Sequence, residues 1–578
     1  MIVRYISITN FRGIRQMAWS IDSEVTCLIG PGDSTKTTIL DAIEYCLFPY
    51  YNLTIDDSDF FNSNSENSIE ISVTVTKLPD EIIADQKYGL LTRGWNKRDG
   101  LHDEPQAGDE IGITISFKVD DALEPSWTVI NDRSPGKTIS HVDRAKLCVN
   151  RLSSIVDRHL SWAKGSILHR MTEDINAASS ALATATRQMR GTTNLSTIEE
   201  FKKVAEVATA AAARFGIKPK QAFIPQLDSK ALSTGISAIS IHDGGIPLRA
   251  SGLGTRRLMA LGLQTSYSKH GAIVLVDEVE EGLEPYRLRH LLRELAKLAQ
   301  NNSDISGQVV MTTHSPIATV EIPASSLTVV RSNKGITTCK SVPTTLQGTV
   351  RAVTEALLAP RVIVCEGKTE YGLCRGLEKH WCLENKESLS YMGVALVEGG
   401  GDAAPARASE LADLGYSVCL FIDSDCLQTI RPTKDELIVK GVQVIHWDGA
   451  FSIEQRIAFD VPIAQLQIML DIAANNHGEQ SVRDCIRKQF PQLLADKPIC
   501  VNDWLAAGVE EVSLREAVGT AAKEKKWFKR IDYGEELGEV VCQALSSIPD
   551  KNLTMTINNL SKWVNPPNDN TAGTGRTP

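Results

Sequence analysis

Acidic residues at the ends of apolar runs are the part of this 578-residue chain whose spacing points most directly to chemistry. Glu366-Gly-Lys-Thr-Glu370 follows RVIVC, Gly399-Gly-Gly-Asp402 follows VALVE, and Asp423-Ser-Asp425 ends SVCLFIDSD. If these runs are neighbouring parallel strands, Glu366, Glu370, Asp423 and Asp425 converge on one sheet edge, where ligands bind in open α/β folds. Gathered there, the carboxylates repel one another unless divalent cations neutralise them. Hard oxygen donors favour Mg2+ or Mn2+ over zinc. A bare pair of acids is common on surfaces, but an ordered set on successive strands is a specific signal.

A second chemistry lies upstream. Gly30-Pro-Gly32-Asp33-Ser34-Thr35-Lys36-Thr37-Thr38 separates the apolar run VTCLI from the amphipathic run TILDAIEYCLF. Strand, glycine loop and helix in that order form a phosphate cradle. Backbone N–H groups around Gly30, Gly32, Asp33 and Ser34 face the phosphates, Lys36 reaches the β/γ oxygens, and Thr37 and Thr38 follow, Thr37 on Mg2+. Thr35 stands where glycine is expected, and its Cβ would crowd the loop or slow hydrolysis. AIVLVDE ends in Asp277 and Glu278. One carboxylate there suits Mg2+, and Glu278 suits a role as the group that polarises the attacking water.

Strand and helix patterns must position these groups. SIEISVTVTKL (68–78) and EIGITISFK (110–118) alternate as antiparallel strands do. The segments HRMTEDINAASSALATATRQMR and IEEFKKVAEVATAAAARFG have helical spacing. Strands and helices then alternate from ISAISIHDG to QVVMTTH and again after about residue 350, the rhythm of parallel α/β layers. The expected division is 1–150 and 226–348 for one α/β unit, 151–225 for a helical insertion that dimerises, 349–564 for a second α/β unit, and 565–578 for a disordered tail.

The order of P-loop, Ser251-Gly252-Leu-Gly-Thr-Arg256-Arg257, Asp277-Glu278 and Thr313-His314-Ser315 resembles the ABC and SMC-like ATPase heads. The resemblance implies that Ser251 and Gly252 cap the γ-phosphate of a partner's ATP and that His314 senses the same phosphate. The ExxxE, GGG and DxD series resembles Toprim, a Rossmann-like metal-binding domain. A start at NFRGI, a helical insertion, RHLSWAKGSILHR near 158–170 and a following Toprim domain together resemble the OLD (overcoming lysogenization defect) nucleases over roughly residues 1–535. That family includes the Gabija nuclease subunit and retron-associated effectors.

The OLD resemblance implies a DNA endonuclease controlled by ATP, dependent on Mg2+ or Mn2+, homodimeric or larger, and serving antiphage defence. A partner from a neighbouring defence gene, a helicase or a retron nucleic acid, belongs to the same expectation. It makes Glu454 in WDGAFSIEQRI a further metal ligand beside Glu366, Glu370, Asp423 and Asp425. It also calls for a lysine near the scissile phosphate. KEKKWFKR offers Lys523, Lys525, Lys526 and Lys529, and the K-x-F register favours Lys526. Arg256, Arg257, the KEKKWFKR segment and basic residues of the insertion are the expected DNA contacts. Two alternatives stand beside this one: an ATPase sensor or DNA-repair machine with a secondary or inactive Toprim site, and a primase- or topoisomerase-like enzyme. No zinc ribbon or tyrosine-bearing cleavage domain accompanies the third.

Composition sets the outer bounds. With 42% apolar and 23% charged residues the chain reads as globular, and no apolar run nears the ~20 residues of a membrane span. Its net charge of −10 confines any nucleic-acid affinity to local basic patches. Twelve scattered cysteines without a CxxC pair argue against structural zinc and suit a reduced, cytoplasmic setting.

Overall fold

A computed structural model describes residues 1–49, 53–147, 149–152, 156–163, 166–172, 195–227, 239–267, 272–300, 307–489 and 499–566. The chain divides into two compact units, Met1–Gln347 and Gly348–Pro578. Among the described residues no helix is long and apolar enough to cross a membrane. All but the first four residues of the helical pattern at 169–190, and most of the tail at 565–578, lie outside the described residues.

The first unit is built on a mixed 14-stranded sheet. One half is parallel, in the order Val149–Leu152, Ile273–Val276, Gln308–Thr312, Val25–Ile29 and Leu327–Asn333. These strands are near-continuous apolar runs because helices cover both faces of a parallel layer. The other half is mostly antiparallel and contains Ile14–Ser20, Ile2–Phe11, Ile69–Thr76 and Glu110–Val119. Its alternating apolar residues pack in one core with the inner face of helix Lys36–Cys46. Val149–Leu152 pairs with Ile273–Val276, so the chain before the helical stretch is still part of the sheet. Within the insertion the described residues include helices Ile167–Met171 and Glu199–Arg214; Phe223–Leu227, Ile239–Asp243 and Ile246–Pro247 form a small separate sheet.

The second unit holds four parallel strands in the order Val394–Glu398, Arg361–Cys365, Ser417–Phe421 and Gln443–Ile445. Cys365 pairs with both Glu398 and Phe421, so the three acid- or glycine-bearing strand ends are level at one edge. Helix Lys368–Leu383 leaves that edge and packs closely on helix Ile531–Leu545. Helices Ile453–Asp460 and Glu511–Glu524 pack together and frame the same edge.

Candidate nucleotide and carboxylate sites

The P-loop joins strand Val25–Ile29 to helix Lys36–Cys46, whose free N–H groups open toward the loop. Gly30 has φ 144°, and a Cβ there would meet the Val330 carbonyl oxygen at 2.5 Å. Thr35 sits in the left-handed region at φ 66°, a strained conformation for a β-branched residue and the reason glycine is usual here. Its hydroxyl lies 3.1 Å from that of Thr337. Lys36 is folded back on the loop, donating to the carbonyl oxygens of Gly30 (3.1 Å) and Pro31 (2.7 Å) and to Ser34 Oγ (3.1 Å). Burial lowers its pKa to about 8 against the pull of Asp277, Asp33, Glu278 and Glu280.

Asp277 gathers the rest of this site. Its Oδ1 accepts from Thr37 Oγ1 (3.2 Å) and Thr312 Oγ1 (2.6 Å). Glu278, at φ 44°, donates its backbone N–H to Thr312 Oγ1 (2.8 Å). His314 stays accessible at the surface, but partial desolvation of its ring, helped by the Lys36 charge, holds its pKa below the usual histidine range. Gly32, Asp33, Ser34 and Thr38 fall in the loop and first turn around Lys36.

Sequence reasoning passed over Glu280, which accepts from the His314 backbone N–H (2.6 Å) and from Thr313 Oγ1 (2.6 Å). It also passed over Arg151. An acid two residues beyond a strand-end pair was a weak signal for the first; nothing marked the second.

Ser251 and Gly252 are expected to act on a partner's nucleotide and not on this P-loop, whereas Arg257 meets a geometry different from the expected one. Ser251 and Gly252 line a separate cavity of about 570 Å3 with Lys218, Lys220, Tyr286 and Arg287. They share no hydrogen bond with the P-loop. Arg257 is 2% exposed and donates to the carbonyl oxygens of Asp277 (2.7 Å) and Glu278 (3.0 Å), besides pairing with Glu281. A guanidinium buried in those contacts braces the strand end and is not a surface for DNA. Arg256 pairs with Asp157.

In the second unit the five acids lie around one sheet edge. Glu366 Oε2 accepts from the Asp423 backbone N–H (2.9 Å), and Asp423 Oδ1 accepts from the Ile453 N–H (2.9 Å). Glu370 is fully buried in the first turn of its helix; Oε2 caps the Gly367 N–H (2.8 Å) and Oε1 has no hydrogen-bond partner. Glu454, also fully buried, accepts from Ser452 Oγ (3.0 Å) at Oε2 and leaves Oε1 without a hydrogen-bond partner.

Burial, opposed by Lys529 and reinforced by Glu454 and Glu366, raises Glu370 to about 7. Burial and the charges of Glu370, Glu366, Glu454 and Asp425 push Asp423 well above the ordinary carboxylate range. Among the described residues no three His, Cys, Asp or Glu side chains are already gathered into a set that could hold a metal ion.

Lys523 contacts these acids directly and Lys529 lies near enough to feel their charge, whereas among the described residues no contact joins Lys526 to them. Lys523 Nζ lies 2.5 Å from Asp425 Oδ2. Burial would lower Lys529, but Glu370, Glu454, Asp423 and Glu366 together raise it. Lys526 is exposed in the turn after helix Glu511–Glu524, at φ 54°, where the chain reverses away from the helical phase. Cys426, unremarked in the sequence, places Sγ 3.6 Å from Glu366 Oε2.

Comparison with known proteins bears on the first unit. No curated protein matches the sequence. The SMC head domain from Thermotoga maritima superposes with a TM-score of 0.31 at 16% identity, over 59% of this chain and 100% of that one. An Smc head domain with an extended coiled coil bound to the C-terminal domain of ScpA, from Pyrococcus furiosus, gives 0.34 at 13% identity, over 61% and 98%. Likeness at this level leaves the P-loop, the Asp277 strand and the sheet to define the unit. A family model described as "AAA domain, putative AbiEii toxin, Type IV TA system" matches residues 25–321, from the strand before the P-loop to the helix after His314. That span is just over half of the 578 residues, and the chain belongs to this family of AAA-domain ATPases.

Proposed function

We propose that this chain is a nucleotide-controlled, divalent-metal-dependent DNA endonuclease of the OLD type, with Met1–Gln347 as an ABC-type ATP-binding head and the second unit as a Toprim nuclease domain. The observation that carries the reading is the pair of fully buried carboxylates, Glu370 and Glu454, each with one oxygen unpartnered beside Glu366, Asp423 and Asp425. Buried polar atoms are rarely left unpaired without a ligand to complete them. An all-oxygen set of acids held at one edge suits Mg2+ or Mn2+, the latter two oxygens being the natural first donors. Such cations would activate water and stabilise the leaving oxygen of a phosphodiester.

The protein's own groups supply the rest. Asp423 is fixed by the Ile453 N–H, and Glu366 is fixed by the Asp423 N–H, so both present oxygens in set directions. Lys523 and Lys529 hold positive charge where a phosphate's added negative charge would develop. In the head, Lys36 would exchange the carbonyls of Gly30 and Pro31 for phosphate oxygens, Thr37 and Asp277 would hold Mg2+, and Glu278 would polarise the attacking water. ATP is read as the control on how heads assemble, through Ser251 and Gly252 of a second copy. DNA as substrate, a homo-oligomer and an antiphage role rest on the OLD resemblance.

Supercoiled plasmid tests this directly. Wild type should nick or cut it in Mg2+ or Mn2+ and not in EDTA, and ATP should change the rate in wild type but not in Lys36→Ala. Cutting that ignores both ATP and Lys36→Ala would remove nucleotide control. A second reading, an ATPase machine with a secondary carboxylate site, is favoured by the lack of a ready three-ligand set among the described residues. Metal-independent or absent cutting, with ATP turnover intact, would select it.

A further inference from the structure

The nucleotide site holds a cation of its own. Arg151 lies on Val149–Leu152, which runs parallel to Ile273–Val276 with Leu152 level with Val276. Its guanidinium, 8% exposed, donates through one nitrogen to Asp41 Oδ1 (2.9 Å) and Asp277 Oδ2 (3.1 Å). Asp41 belongs to the P-loop helix Lys36–Cys46. Arg12 pairs with Asp41 from the other side and with Asp59 at 2.8 Å. The second terminal nitrogen of Arg151, NH1, is buried without a hydrogen-bond partner.

Asp277 is thus divided between two kinds of donor. Oδ1 faces the hydroxyls of Thr37 and Thr312, on the side where Mg2+ belongs, and Oδ2 faces Arg151. A carboxylate this close to a phosphate loop would repel an incoming triphosphate unless a positive charge screened it. Mg2+ does so in the loaded site. Arg151 is placed to do so before loading.

We propose that Arg151 is a positioning residue that neutralises Asp277 while the metal is away and ties it through Asp41 to the P-loop helix, so that nucleotide can enter ahead of Mg2+. The proposal rests on the reading of Lys36, Thr37 and Asp277 as a nucleotide site. It makes Arg151 the residue that sets how strongly nucleotide binding depends on metal. A merely structural arginine would affect binding with and without Mg2+ alike.

Calorimetric titration of ATP into the full chain, in EDTA and in saturating Mg2+, separates these. For Arg151→Gln, metal-free affinity should fall about tenfold or more, with affinity in Mg2+ within about threefold of wild type. The double variant Arg151→Gln/Asp277→Asn removes both charges together and should recover metal-free affinity to within about threefold. Equal losses in the two buffers, or no recovery in the double variant, would overturn the proposal. Should Arg151→Gln not fold, the double variant is read against Asp277→Asn, in which the arginine charge has lost the carboxylate it screens: the double variant should bind metal-free ATP about tenfold more weakly than Asp277→Asn, and equal affinities would contradict the assignment. Wild type that binds ATP in neither buffer would overturn the nucleotide site itself. Binding in both, with the metal ratio unmoved by Arg151→Gln, would overturn only the role of Arg151.

Discussion

At the scale of single residues, Lys36 and the C-terminal lysines make the sharpest commitments. Lys36 in the phosphate-free loop has its pKa lowered to about 8 by burial. Phosphate oxygens restore the charged form, so the complex keeps a proton that the free protein releases above that pH. ATP affinity should therefore be level below pH 8 and fall as pH rises, by up to about tenfold per unit toward the ordinary lysine value near 10.4. Titrations across pH 7 to 9.5 check this, with Lys36→Ala giving a flat profile. In the second unit, Lys523→Ala and Lys529→Ala should each slow plasmid cleavage by about tenfold to a hundredfold, while Lys526→Ala stays within about twofold. The P-loop was legible because its chemistry is local: the six residues Gly30 to Thr35 and a lysine define it. The lysine was not, because the helix Glu511–Glu524 ends before Lys526 and the reversal at φ 54° decides which lysine meets the acids. Nothing in K-x-F spacing encodes that turn.

Elements carry those residues, and one contact between elements matters most for the carboxylates. Helix Lys368–Leu383, which carries Glu370 in its first turn, presses against Ile531–Leu545 through glycines on both sides. A Cβ on Gly376 would meet the Glu535 carbonyl oxygen at 2.6 Å and Gly538 Cα at 2.9 Å; on Gly372 it would meet the Ile531 oxygen at 2.3 Å. Gly376→Ala should therefore push the helices apart, costing about 1–3 kcal/mol and moving Glu370 off the edge. Thermal melts and Mn2+ binding should fall together; an unchanged melt would refute the close packing. The apolar and alternating runs did announce the strands: RVIVC, VALVE and SVCLF became three level parallel strands, and SIEISVTVTKL and EIGITISFK supplied antiparallel neighbours. The paired GxxxG spacings at 372–376 and 534–538 were equally visible but lie 158 or more residues apart, and pairing across such a separation is a tertiary fact. The same holds for Val149–Leu152, four residues whose membership of the sheet depends on Ile273–Val276.

For the whole molecule, two chemistries share one chain: a nucleotide site in Met1–Gln347 that belongs to an AAA-domain family, and an acid cluster in Gly348–Pro578. With a net charge of −10, the proposed reading needs local basic groups to draw DNA, and Lys523 and Lys529 beside the acids would be among them. Arg257, which sequence pattern placed on that surface, is instead consumed inside the head. On the proposed reading, the acid cluster cuts phosphodiesters with a bound divalent cation. The most direct test sets wild type against Asp423→Asn on supercoiled plasmid in Mn2+, with matched thermal melts. The account predicts relaxed or linear product from wild type and a loss of at least about a hundredfold in the variant. Equal cutting by the two proteins would contradict it.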